Sequence, residues 1–304
     1  MNIEDALNEA LGENTAPAVP LAEGLPATVG VLGGGRMGAG IAHAFLTKGS
    51  KVVVVERDAE AARGARQRVE ASVAVSIERG AVAASSEALL ADFATSVDYA
   101  DFAFCDLVVE AVPEDPTLKA TALAAVEEQI SPHAFLATNT SSLSVTDLAV
   151  SLKRPGQFLG LHFFNPVPAS TLIEVVIAEG TADETVAAAR RWVEALGKTA
   201  VVVKDAPGFA SSRLGVAIAL EAMRMLEEGV ASAEDIDNAM VLGYRHPVGP
   251  LKTTDIVGLD VRLGIAEYLH KTLGERFAPP QILRDKVAEG QLGRKSGKGF
   301  YDWA

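Results

Sequence analysis

The chain has 304 residues, 49% of them hydrophobic and 22% charged, and a net charge of −13. At about 150 residues per domain the length suggests two domains, and the composition excludes a disordered chain, a collagen and a bare coiled coil. The acidic balance argues against nucleic acid or an anionic membrane as a partner, so an anionic ligand must be met by local donors. A single cysteine, Cys105, forms no intrachain disulfide and supplies no thiolate cluster for a metal, which points to the cytoplasm; it is read as a small core hydrophobe. No run reaches the ~18 apolar residues of a spanning helix. The first basic residue is Arg36, too late for a basic leader.

Residues 1–24 carry Glu4, Asp5, Glu9, Glu13 and Glu23, with a helix-like patch at 3–11 before Pro17 and Pro20, and are read as a loosely held extension. A β-like run at 28–32 is followed by Gly33-Gly-Gly-Arg-Met-Gly38 and then by an apolar helical stretch to 46. Residues 51–55 are a lysine and four valines, a run that suits a strand buried on both faces, and a helix is expected over 58–80. Further strands are predicted at 106–110, 135–138, 158–163, 172–177 and 199–203, with helices at 117–129 and 183–196. This alternation predicts an α/β domain over 25–205, a Rossmann-type doubly wound, mainly parallel sheet. Beyond Asp205-Ala-Pro-Gly208 the spacing turns helical at 209–228, 235–242, 259–273 and 281–289, so 206–304 is expected to form an all-helical second domain.

Gly33, Gly35 and Gly38 fit a dinucleotide turn: the first permits the tight turn, the second lets backbone approach a diphosphate, and the third allows close helix packing. Arg36 and Met37 lie inside the turn. Glu56 closes the next strand near the ~20-residue offset at which an acidic residue accepts from the adenosine ribose and repels a 2′-phosphate, which favours NAD over NADP. Arg57 beside it is either a rescuer of that phosphate or a solvated charge. A second constellation is Asn139-Thr-Ser-Ser142, then Gly160-Leu-His-Phe-Phe-Asn-Pro-Val-Pro168, then Glu174. His162 is placed in a loop after a central strand, where ligand crevices open in such sheets. Flanked by Phe163 and Phe164, it is either a core imidazole or a base oriented by the carboxylate of Glu174.

At these residues the chain resembles the L-3-hydroxyacyl-CoA dehydrogenase family. The matching stretches are 33–40, Val108-Val-Glu-Ala-Val112, Thr138 to Leu143, Gly160 to Pro168, Asp205-Ala-Pro-Gly-Phe209, Gly249-Pro250 and Gly293 to Tyr301, so the likeness runs from about 28 to 301. The resemblance implies His162 as catalytic base with Glu174 as its paired carboxylate. It implies Ser141 at both substrate oxygen and nicotinamide, and Asn165 at the nicotinamide end. Glu114, Lys119 and Lys295 match further NAD contacts, while Ser72 matches a contact to coenzyme A and Arg79 stands where the family has a lysine near the CoA nucleotide, keeping a cation there. Ser212 stands where the family has an asparagine near the substrate carbonyl, and Thr171 replaces a common lysine; nothing in the sequence explains the latter.

The expected activity is therefore NAD-dependent oxidation of an L-3-hydroxyacyl-CoA, 3-hydroxybutyryl-CoA first, and the reverse reduction, by a homodimer joined through its helical region with the apolar stretch 214–220. The rivals are a dehydrogenase of a small hydroxy acid without CoA, such as carnitine or a sugar acid, and a catalytically silent NAD-binding structural protein.

Overall fold

The computed structural model describes residues 19–303, and the chain divides into one unit ending at Asp205 and another beginning at Ala206. The helix-like patch at 3–11 lies outside the described residues. Of the N-terminal extension, residues 19–24 are described, and there the Ala22 amide donates to the Lys48 carbonyl at 3.0 Å.

In the first unit β1 (Thr28–Leu32), α1 (Arg36–Leu46), β2 (Lys51–Val55), α2 (Ala59–Glu78), α3 (Ser86–Ala91), β3 (Phe93–Ser96), β4 (Leu107–Glu110), α4 (Pro116–Gln129), β5 (Phe135–Thr138), α5 (Val145–Ala149), β6 (Phe158–Phe163), β7 (Leu172–Ile177), α6 (Asp183–Ala195) and β8 (Thr199–Lys204) build an α/β layer structure. The strands form one sheet in the order β3-β2-β1-β4-β5-β6-β7-β8. The chain winds outward from β1 to β3, then returns to place β4 on the other side of β1. That reversal opens a crevice at the carboxyl ends of β1 and β4, where ligands bind in such sheets. Valines of β1 and β2 interleave with Ile41 and Phe45 of α1 in a buried core, and β-branched side chains on both faces favour the strand over the helix there. Aspartates start the helices that matter for the site: Asp58 accepts from Ala61 N at 2.8 Å to begin α2, and Asp115 from Leu118 N at 2.7 Å to begin α4.

One pairing breaks the parallel pattern. β6 and β7 run antiparallel, because the connection at 164–171 carries no helix and a parallel return needs a crossover of about a dozen residues or more. The edge strand β3 and the short helices α3 and α5 are additional to the predicted elements; Phe-Ala-Thr-Ser is too short and mixed to signal a strand by periodicity.

The second unit contains α7 (Ser211–Glu227), α8 (Ala233–Tyr244), α9 (Pro250–Val257), α10 (Leu259–Leu273) and α11 (Gln281–Ala288). Its core gathers Val216, Leu220, Met223, Leu251, Leu259, Leu269 and Leu283. The buried carboxylate of Asp255 accepts from Phe300 N at 2.8 Å, Tyr301 N at 2.9 Å and Trp303 Nε1 at 2.8 Å, fastening the C-terminal segment to α9.

Candidate active site

The glycine turn joins β1 to α1. Gly33 has φ +90°, and a Cβ there would come within 3.0 Å of the Ala111 carbonyl, so turn and β4 end touch backbone to backbone. Gly35 is the N-cap of α1, with no side-chain cap and no acidic residue in the first turn. Apart from its chain neighbours, a Cβ built on Gly35 meets nothing within 4 Å among the described residues. The turn thus presents helix-start amides and a partial positive charge to open space, a donor set that fits a diphosphate. Arg36 is exposed and Met37 half-buried in this first turn. Glu56, at the end of β2, accepts from Gly34 N at 2.7 Å through Oε1 and from its neighbour Arg57 N at 3.2 Å through Oε2. The Arg57 guanidinium is drawn to Asp58, Nε to Oδ2 3.0 Å. These residues fit an NAD cofactor.

His162 lies within β6, not in the loop after it. In the antiparallel pair His162 stands directly opposite Glu174 of β7, so the two side chains share a face. The ring Nδ1 is 2.8 Å from Glu174 Oε2, with Glu174 fully buried and the imidazole nearly so. An ionised carboxylate only accepts, so Nδ1 is the donor of this contact, and Nε2 is the ring nitrogen that can exchange a proton with a substrate. Phe164 packs on the ring at 4.4 Å between centroids.

At the neighbouring strand ends lies a network that the sequence did not disclose. Glu110, the last residue of β4, accepts from Lys119 Nζ at 2.8 Å and Val112 N at 2.7 Å through Oε1, and from Thr138 Oγ1 at 2.6 Å through Oε2. Lys119 is 1% exposed and also lies 3.3 Å from Glu114 Oε2. Glu114 Oε1 in turn accepts from Thr140 Oγ1 at 2.6 Å, Ser141 N at 2.8 Å and Ser142 N at 3.1 Å, with the Ser141 hydroxyl at 3.3 Å. Burial pushes the Glu114 carboxyl up, but the charge of Lys119 and these hydrogen bonds outweigh it and hold the group below its ordinary value. Asn139 Oδ1 accepts from Phe163 N at 2.9 Å, tying the same loop to the end of β6. Ser141 is therefore fixed from two sides, close in the sheet to the strand that bears His162.

Not every predicted residue joins this cluster. Asn165 is exposed in the loop after β6 and precedes a cis proline, Pro166. Ser72 is half-buried on α2 and Arg79 is exposed at its C-cap, seven positions on, so both face one side of that helix. Ser212 is the second residue of α7, whose N-cap, Ala210, gives no side-chain hydrogen bond. Lys295 pairs with Asp260, Nζ to Oδ2 2.6 Å. Glu110, Thr138 and Thr140 are the site residues that sequence reasoning missed; the one available signal was a glutamate ending an apolar strand.

Residues 28–206 match the family model described as the NAD-binding domain of 3-hydroxyacyl-CoA dehydrogenase, and residues 208–303 match its C-terminal domain. The chain belongs to the 3-hydroxyacyl-CoA dehydrogenase family. It is an NAD-dependent oxidoreductase of the class that acts on CH–OH groups. The chain is 42% identical, over 90% of its length and 99% of the relative, to a probable 3-hydroxybutyryl-CoA dehydrogenase of Deinococcus radiodurans. Against the corresponding probable 3-hydroxybutyryl-CoA dehydrogenase of Bacillus subtilis the identity is 38%, over 90% and 96%. The crystal structure of (S)-3-hydroxybutyryl-CoA dehydrogenase from Ralstonia eutropha is similar with a TM-score of 0.87 and 37% identity, covering 92% of this chain and 100% of that one.

Proposed function

We propose that this dehydrogenase interconverts short-chain L-3-hydroxyacyl-CoA thioesters, 3-hydroxybutyryl-CoA first, and their 3-oxoacyl-CoA counterparts. The observation that carries the reading is the buried Nδ1–Oε2 contact of 2.8 Å between His162 and Glu174. The 33–38 turn, Glu56, Glu114 and Ser141 would hold NAD, which when bound would supply the acceptor for hydride from C3. His162 Nε2 takes the proton of the 3-hydroxyl as its C–O bond becomes a carbonyl, and Glu174 stabilises the imidazolium that forms. Ser141 steadies the substrate oxygen, and Asn165 orients the nicotinamide end. In reduction His162 returns the proton to the 3-oxo oxygen. Ser72 and Arg79 supply a polar group and a cation for the CoA portion, which speaks against a free hydroxy acid as substrate. Ser212 and Lys295 keep their substrate and NAD roles on the resemblance alone.

The test is a comparison of NADH oxidation with acetoacetyl-CoA, longer 3-oxoacyl-CoA thioesters and free acetoacetate. The highest kcat/KM is expected for acetoacetyl-CoA; equal turnover of the free acid would remove CoA from the reading. The second unit is assigned to dimerisation because Leu214 (63% exposed), Leu242 (77%) and Tyr244 (76%) leave apolar surface uncovered. Light scattering at micromolar concentration should give twice the chain mass. A cytoplasmic location is supported by the lone, buried Cys105.

A further inference from the structure

Gly34 is the middle residue of the glycine turn, a position where a dinucleotide turn does not itself demand glycine. Its surroundings supply another reason. A Cβ on Gly34 would fall 2.3 Å from Ala65 Cβ and 2.9 Å from Val54 Cγ1, so the turn is pressed directly against α2. One turn further along α2, Arg68 Nη1 donates to the Gly34 carbonyl at 3.1 Å. From the other side the Gly34 amide donates to Glu56 Oε1 at 2.7 Å. Both peptide groups flanking Gly34 are thereby held, one by the end of β2 and one by α2.

The second of these matters for the cofactor. In a trans peptide the carbonyl and the following amide point in opposite directions from one plane. Holding the Gly34 carbonyl toward α2 therefore aims the Gly35 N–H away from α2, and the space about Gly35 is open, since a Cβ built there meets no described atom within 4 Å beyond its chain neighbours. Glycine by itself imposes no such orientation, since it populates peptide conformations that other residues avoid. A donor fixed before the ligand arrives costs less ordering on binding than one that must be recruited.

We propose that Arg68 is a positioning residue for the cofactor, which fixes the 34–35 peptide so that the Gly35 amide meets the diphosphate. The proposal rests on the reading that the 33–38 turn holds NAD. Arg68 does not touch the cofactor in this account; its reach is to backbone alone. Its place on α2, one turn before Ser72, offers a competing role at the CoA portion, and the two roles move different constants.

NADH binding to Arg68→Met, Arg68→Lys and Gly35→Val is to be measured by fluorescence titration, alongside steady-state kinetics with acetoacetyl-CoA. Arg68→Met should raise the NADH Kd about five- to tenfold, less than the full worth of one charge-assisted hydrogen bond because Arg68 acts through the peptide and not on the cofactor, with kcat at saturating NADH within about twofold and the acetoacetyl-CoA KM unchanged. Arg68→Lys should recover part of the loss, because an ammonium can still donate to a carbonyl. Gly35→Val tests the underlying reading: its space is open and its φ of −61° suits valine, so the protein folds and NADH binding is lost. If Gly35→Val loses NADH while Arg68→Met keeps the normal Kd, or shifts the acetoacetyl-CoA KM instead, the positioning role is overturned and the turn stands. Normal NADH binding by Gly35→Val would overturn the turn as the cofactor site and the proposal with it.

Discussion

Replacing Lys119 by Met tests whether the buried charge network organises the site. The ammonium is 1% exposed and is shared between Glu110, fully buried at 2.8 Å, and Glu114 at 3.3 Å. Without it the Glu110 carboxylate keeps two donors among the described residues, Val112 N at 2.7 Å and Thr138 Oγ1 at 2.6 Å, for a group fully buried. Breaking a buried pair by removing one partner costs about 3–5 kcal/mol, a large share of the ~5–15 kcal/mol that holds a typical protein folded. Urea unfolding of Lys119→Met should show a loss in that range. Lys119→Met combined with Glu110→Gln should recover part of it, because no unpaired charge is then left inside. A loss below about 1 kcal/mol in the single variant would refute the reasoning, since the pair would then not hold this part of the fold.

Two further outcomes follow from the same geometry. The depressed Glu114 carboxyl contributes stability that is fully present above its ordinary value of 4.5 and is lost as pH falls through the lower folded value; the Tm difference between wild type and Glu114→Gln should therefore be constant from neutral pH down to about 5.5 and shrink only at more acid pH, and a difference that already shrinks near neutrality would contradict this assignment. Ser212→Ala should lower kcat by roughly tenfold, less than the loss of a full oxyanion donor because water substitutes in part, while an unchanged kcat/KM with a lowered Tm would return Ser212 to a local backbone role.

The sheet was legible where sequence and burial agree. Four consecutive valines in β2 and the apolar run ending at Glu110 have one stable home, the interior of a two-sided sheet. The spacing from His162 to Glu174 suggested a pair, but what makes it one is register, a property of two strands and not of either. Placing His162 in a loop failed for the same reason: strand ends are set by pairing with neighbours, and β7 holds β6 in the sheet through Phe163. Lys119 is singled out in the sequence only through the resemblance, as an NAD contact, and its burial against Glu110 comes from the approach of α4 to the end of β4. Arg68 carries no signal at all, since its partner is a carbonyl on a distant turn.

If His162 is the proton-transfer group and Glu174 its orienting partner, their removal must act on turnover and not on cofactor binding. The most direct measurement is kcat for acetoacetyl-CoA reduction at saturating NADH in His162→Gln, Glu174→Gln and the double variant, with the NADH Kd measured in parallel. Each single variant should lose ~10²-fold or more in kcat, the double variant little beyond the worse single one, and NADH binding should stay near normal. A near-normal kcat in His162→Gln would contradict the account.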